Sequence, residues 1–173
     1  MKRAIVVLVV LLTVSLGFAS ASPASAAPIR PPWRFQLPWK TASSKILVGS
    51  DALKVEVADT NYLRSRGLSY RDELVPRTGM LFVFNEAMPL TFWMYEMRFC
   101  LDIIWINDGQ IRGAAESVCP MPGTPADQLP IYASPEPVRY VLEVPAGWMR
   151  DHGYGVGTPV QIDSSLRDKD DPS

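Results

Sequence analysis

Four short apolar runs between Gly79 and Val118 constrain this chain more than any other feature. They are GMLFVF (79–84), LTFWMY (90–95), LDIIWI (101–106) and IRGAAESV (111–118). Each is too short for a stable helix and the first three are rich in β-branched and aromatic side chains, so each reads as a short strand. Asn85–Pro89 breaks the first pair, and Asn107-Asp108-Gly109 is a hairpin turn, because glycine accepts positive φ without a Cβ clash. Upstream, ILVG is followed by LKVEVAD, where Leu53, Val55 and Val57 alternate with Lys54 and Glu56. That alternation predicts a half-buried strand, paired with its neighbour through a turn at Gly49-Ser50-Asp51. Thr60 is placed to cap a short helix that Gly67 ends. Downstream, RYVLEV (139–144) and TPVQID (158–163) read as strands, with a short helix or turn at 146–153 between them. Residues 71–78 and the proline-rich 119–130 read as loops. The expected fold is mostly β, a β-rich α+β arrangement in a compact barrel-like or sandwich domain with one or two short helices.

The N-terminus points to where such a domain works. Lys2 and Arg3 precede an apolar run from Ala4 to Phe18, and small residues follow at Ala19-Ser20-Ala21 and Ala24-Ser25-Ala26. That order is a secretory signal peptide, expected over residues 1–26. The run is shorter than the ~20 residues of a spanning helix, which favours cleavage over an uncleaved anchor. A Pro/Ser/Ala-rich tether is expected over 27–44, the folded domain over 45–163, and a disordered, mixed-charge tail over 164–173. Trp33, Phe35 and Trp39 are unusual in a tether and are expected to dock on the domain. The chain is therefore read as extracytoplasmic, meeting a membrane only through its N-terminal segment if that is uncleaved.

Charge excludes one class of partner. The 17 basic and 18 acidic residues nearly cancel, and no basic stripe marks a nucleic-acid face. Cys100 and Cys119 are the two cysteines, and an oxidising compartment favours their pairing. A zinc site usually needs four ligands, and His152 is the one histidine, so no metal or other cofactor is expected. Met94 and Met97 offer thioethers that suit copper(I), but methionine without a nearby His or Cys is more simply a core filler. One histidine in a turn supports no Ser-His-Asp arrangement, and no glycine-rich phosphate cradle is present.

Several blocks together resemble a known family. Arg-x-x-Gly-Leu, a following Arg, Gly-Met-Leu-Phe-x-Phe, Phe-Trp-Met, Leu-Asp-Ile-Ile, and Val-Leu-Glu-x-x-x-Gly occur in order between Lys45 and Asp163. The pattern resembles the domain of unknown function 192 family. The resemblance implies a compact, β-rich, barrel-like domain, often exported in bacteria, and implies no established activity. This chain departs from the family pattern at Tyr95-Glu96-Met97, where Lys-Asn-Thr is common, and at Cys100, where proline is common. A two-residue loop at Asp108-Gly109 would set Cys100 opposite Ser117, with Cys119 on a ~7 Å diagonal, the upper limit for a disulfide. A small bulge brings the pair into range, and a Cys100–Cys119 disulfide is expected.

Asp102 is the conspicuous polar residue, a carboxylate in an apolar run. It shares a face with Ile104 and Ile106, while Leu101, Ile103 and Trp105 share the other. A poorly hydrated carboxylate needs a partner, and Arg66 and Arg71 are the first expected, ahead of Arg98 and Arg139. An Arg–Asp strut is the ordinary outcome. The functional alternative is a site in which Arg66, Arg71, Trp93 and Asp102 line a pocket for a small polar ligand or glycan. Thr91, Trp93 and Tyr95 then form an aromatic shelf suited to sugar rings, although Trp93 as plain core is the simpler reading. A hydrolase would need Asp102 and a second carboxylate across one bond, with Glu96, Glu116 or Glu143 available. A non-enzymatic binding module is the leading expectation, with an extracytoplasmic hydrolase and a structural or interaction domain as alternatives.

Overall fold

A computed structural model describes residues 41–167. The first strand, β1 (Ala42–Val48), turns through Gly49 into β2 (Asp51–Ala58), with Val48 opposite Asp51. Helix α1 (Asn61–Arg66) follows, with the Thr60 side chain accepting from the Leu63 N–H and Gly67 ending it at φ 50°. Then come β3 (Thr78–Met88), the short β4 (Thr91–Phe92), β5 (Leu101–Asn107) and β6 (Gln110–Val118). The chain ends with β7 (Tyr132–Ala133), β8 (Val138–Pro145), α2 (Trp148–His152), β9 (Val160–Gln161) and α3 (Ser164–Arg167). The domain is mostly β, as the alternating runs predict.

Seven strands form one sheet in the order β6-β5-β8-β3-β2-β1-β9, and β4 pairs with β7 apart from it. The sheet curls toward a partial barrel. At one corner the start of β6 meets the segment leading into β9, where Gln110 bridges Pro159 and the Ile111 N–H donates to the Thr158 carbonyl. The β2–β3 pair is parallel, so the chain between them must cross over rather than turn back. That crossover carries α1 and residues 67–77 across one face of the sheet.

The sheet is buried on both faces. Val55, Val57, Leu81, Val83, Ile104, Ile106, Leu142 and Val144 pack on one side with Trp148 and Met149 of α2. Met80, Phe82, Leu101, Ile103, Trp105 and Val141 pack on the other with Leu68 and Met94. This explains why LDIIWI is apolar at both parities, whereas β2 shows clean alternation: β5 is covered on each face from Leu101 to Ile106.

Three boundaries differ from the sequence expectation. Strand β1 takes in Ala42–Ser44, assigned above to the tether, because they pair with Val55–Val57. Helix α3 takes in Ser164–Arg167, assigned above to the tail. The LTFWMY run is a strand only at Thr91–Phe92; the chain then turns through Glu96 at φ 55°, which ends any ladder. The expected signal peptide and the aromatic residues Trp33, Phe35 and Trp39 lie outside the described residues.

Candidate functional site

Asp102 is fully buried at 0% exposure, on the α2 face of the sheet. Its expected arginine partner is absent. Oδ1 instead accepts from the Ser117 N–H at 2.7 Å and the Gly147 N–H at 2.9 Å, and Oδ2 accepts from the Met149 N–H at 2.9 Å. The reason is local. Ser117 sits at φ 53° in a break of the β5–β6 register, and Gly147 and Met149 begin a helix, so these amides have no ladder partner. Three backbone donors satisfy both oxygens, so the carboxylate is held without a guanidinium. Asp102 thus ties β5 to the β6 bulge and to the start of α2.

The same irregular hairpin makes the disulfide. Asn107 faces Gln110 and Ile106 faces Ile111, but Trp105 faces Gly113 and Leu101 faces Val118. Two register shifts on β6 replace the single bulge expected, and they carry Cys119 from the diagonal to a position opposite Cys100. The Cys100–Cys119 bond closes there with the Cα atoms 4.1 Å apart.

The opposite face holds a different cluster, built by the crossover. Glu56 lies beside Met80 in the β2–β3 register, and Met80 and Ile103 flank Glu143 in β8, so these four share one row. Arg71, from the loop after α1, forks onto Glu56 with Nη1–Oε1 2.5 Å and Nη2–Oε2 2.8 Å, and Thr41 donates to Glu56 Oε2 at 2.6 Å. The Arg71 hydrogen bonds hold the Glu56 carboxyl below its ordinary range against the opposing effect of burial, with Thr41 helping. Glu56 in turn raises the Arg71 guanidinium. Arg66 and Arg71 come together around a cavity of ≈ 190 Å³ with Thr41, Leu63, Gly67 and Met80. Arg71 also borders a second cavity, of ≈ 270 Å³, beside Lys54, Glu73 and Thr78.

Glu143 is the unsatisfied member of this cluster. It is 5% exposed, and its buried Oε2 has no hydrogen-bond partner among the described residues. Burial pushes its carboxyl up to about 8, with the charge of Arg71 pulling the other way. At neutral pH it is therefore mostly a neutral acid, able to donate a hydrogen bond. The sequence reading weighed Glu143 only as a second hydrolytic carboxylate and did not single out Glu56. The signal was present in YVLEV, where Glu143 sits among apolar residues as Asp102 does.

Trp93 lies elsewhere again. It is 49% exposed and stacks on Tyr95 with ring centroids 5.2 Å apart and planes 23° apart. It is not core. The expected quartet therefore divides: Arg66 and Arg71 share a cavity, Trp93 stands on the surface, and Asp102 is enclosed behind the sheet. Asp102 and Glu143 also face opposite sides, since Asp102 pairs with Val144 while Glu143 pairs with Ile103. They cannot meet across one scissile bond. Of the two methionines considered as soft ligands, Met94 is buried in the core. Among the described residues no group of three or more His, Cys, Asp or Glu side chains is placed to hold a metal ion.

A curled mixed sheet with a helix-bearing crossover on one face and an enclosed, backbone-bonded aspartate on the other defines a compact, disulfide-linked β-rich domain. The chain belongs to the DUF192 family, described as an uncharacterized ACR, whose profile spans residues 44–162. A solved Sinorhizobium meliloti 1021 protein, assigned provisionally as a transcription regulator, is 35% identical with a TM-score of 0.59, over 68% of this chain and 89% of that one. A Novosphingobium aromaticivorans DSM 12444 protein of unknown function shares the fold with a TM-score of 0.65 and 24% identity, over 84% of this chain and all of that one. No curated protein matches the chain.

Proposed function

We propose that this chain is an exported, non-enzymatic binding module for a small polar ligand or envelope glycan, with Arg66, Arg71 and Glu143 grouped at one site. The observation that carries the reading is Glu143, a buried acid with an unpartnered oxygen and a raised pKa, beside an Arg71–Glu56 pair that borders two cavities. Buried polar groups are nearly always hydrogen-bonded, and perturbed titratable groups cluster at functional sites; Glu143 itself lines neither cavity, and Arg71 joins it to both. Export is supported by the N-terminal signal pattern and by a disulfide, which persists in oxidising compartments. The provisional regulator assignment of the Sinorhizobium protein is not carried over, because this chain has a net charge of −1 and no basic stripe. The hydrolase reading loses its support from Asp102, which has no accessible surface.

The test is a thermal-shift screen of the mature protein against monosaccharides, amino acids, and small carboxylic acids and amides. A ligand at 100 times its dissociation constant adds ~2.7 kcal/mol, several degrees in a domain of this size. The expected result is a shift from one chemical class that Arg71→Ala or Glu143→Ala abolishes. A screen in which no compound moves the transition would reject the binding reading in favour of an interaction domain.

A further inference from the structure

The loop joining β4 to β5 carries a feature that the Arg71 cavity does not use. Trp93 and Tyr95 are 49% and 38% exposed, and Tyr70, at 51%, comes beside them from the crossover loop. These side chains are not loosely displayed. The Ser69 hydroxyl donates to the Tyr95 carbonyl and the Tyr70 N–H donates to the Glu96 carbonyl, each at 2.9 Å. Tyr70 and Glu96 both adopt positive φ, 66° and 55°, which non-glycine residues hold only where the surroundings impose it. The two loops brace one another and present the aromatic pair in a set orientation.

The stack stands between two clefts. On the Trp93 side lies one of ≈ 470 Å³, edged by Asn61, Ser65 and Thr91. On the Tyr95 side lies one of ≈ 410 Å³, edged by Glu96, Arg98 and Thr124. Both fall in the range of small-molecule sites, about 300–1,000 Å³. The guanidinium groups in them are already engaged. Arg64 donates to the Asp59 and Val83 carbonyls and to Asn61, and Arg98 pairs with Asp72. The clefts therefore offer flat aromatic walls with hydroxyl and amide edges. That combination matches a pyranose ring, which has an apolar C–H face and a rim of hydroxyls.

We infer that the Trp93–Tyr95 stack is a sugar-binding shelf that takes the apolar face of a neutral or N-acetylated pyranose, with the flanking clefts receiving its polar rim. The inference rests on reading the chain as a binding module and places its glycan contact apart from the Arg71 cavity. A protein partner would instead use the aromatic pair as an anchor and show no response to free sugars.

The test is saturation-transfer NMR and tryptophan fluorescence on the mature protein with D-glucose, D-mannose, N-acetyl-D-glucosamine and its β-1,4-linked disaccharide. We expect saturation transfer to the ring C–H protons of at least one of these. Trp93→Ala should weaken binding on the order of tenfold or more, as loss of an aromatic anchor does, while Trp93→Phe retains most of it. Trp93 is half exposed, so the melting temperature of each variant should stay at the wild-type value, which separates lost binding from lost fold. A sugar whose binding is lost in Arg71→Ala but kept in Trp93→Ala overturns the shelf and leaves the binding module standing. No response to any of these sugars overturns the shelf, and ligands found by the thermal-shift screen then decide the wider reading separately.

Discussion

Asp102 and Glu143 are carboxylic side chains on neighbouring strands of one sheet, and they are held in opposite ways. Asp102 receives three backbone N–H groups and is a satisfied strut. Glu143, on the other face, has a buried oxygen without a partner and a carboxyl raised to about 8. Both are buried, so burial alone does not separate a structural acid from a functional one. What separates them is whether the surrounding backbone has free donors to offer. The Asp102 side has them because β6 bulges and α2 begins there. The Glu143 side lies within regular ladder between β3 and β5, where backbone donors serve the sheet.

The largest expected effect breaks the satisfied side. Asp102→Ala leaves the buried Gly147 and Met149 amides and the part-buried Ser117 amide without an acceptor, each worth about 1–3 kcal/mol, so a loss of at least ~3 kcal/mol is expected in urea denaturation. A loss below ~1 kcal/mol would mean that Asp102 is not the strut described. Next is the disulfide beside it. Replacing Cys100 and Cys119 by serine should cost ~3 kcal/mol for a loop with a sequence separation of 19. Hydrogen exchange at the Ser117 amide should quicken in that variant, because the bond holds the bulge that feeds Asp102. Two free thiols in the purified protein would contradict the pairing.

The Glu143 side gives pH-dependent effects, smaller per pH unit than either loss above. Its folded pKa, about 8, lies above the ordinary value of 4.5. The folded state therefore keeps a proton that the unfolded state releases between those values. Stability contributed by this group is fully present below about pH 4.5 and falls through the window up to about pH 8, by at most ~1.4 kcal/mol per pH unit. Glu143→Gln should remove that slope and leave the protein more stable than wild type at alkaline pH. A wild-type stability curve that stays parallel to that of the variant would place Glu143 in an ordinary environment. Smallest is Arg71→Ala. The Arg71–Glu56 pair is about a third exposed on each side, so its loss should cost no more than ~1 kcal/mol. Because Arg71 draws the Glu143 pKa down, the same variant should raise it further, read from the carbon-13 shift of the Glu143 carboxyl.

Local pattern made much of the fold legible. The turns at Gly49 and at Asp108-Gly109, the Thr60 and Gly67 caps, and the strands over 79–84, 101–106, 111–118 and 139–144 follow from alternation, turn chemistry and capping, which act over a few residues. The candidate site was less legible. Arg66 and Arg71 line one cavity, since they lie on one short crossover. Their acidic neighbours were assigned wrongly, because Asp102 is as conspicuous in sequence as Glu143 and nothing local tells which face each occupies. Trp93 was favoured as core because its neighbours are apolar, but β4 ends at Phe92 and Trp93 stands half exposed beyond it.

The sequence by itself determined that this is a mostly β domain with two cysteines near enough to pair, a buried acid in its most apolar strand and the blocks of its family. Those properties are set by side-chain type and by spacing along a few residues. Only the tertiary structure decided that β2 and β3 run parallel, that two bulges rather than one bring Cys100 opposite Cys119, and that Arg71 meets Glu56 beside Glu143 rather than Asp102. The physical reason is that strand neighbours and sheet faces are fixed by long-range pairing, and a shift of one residue on β6 exchanges which backbone donors a distant carboxylate can reach.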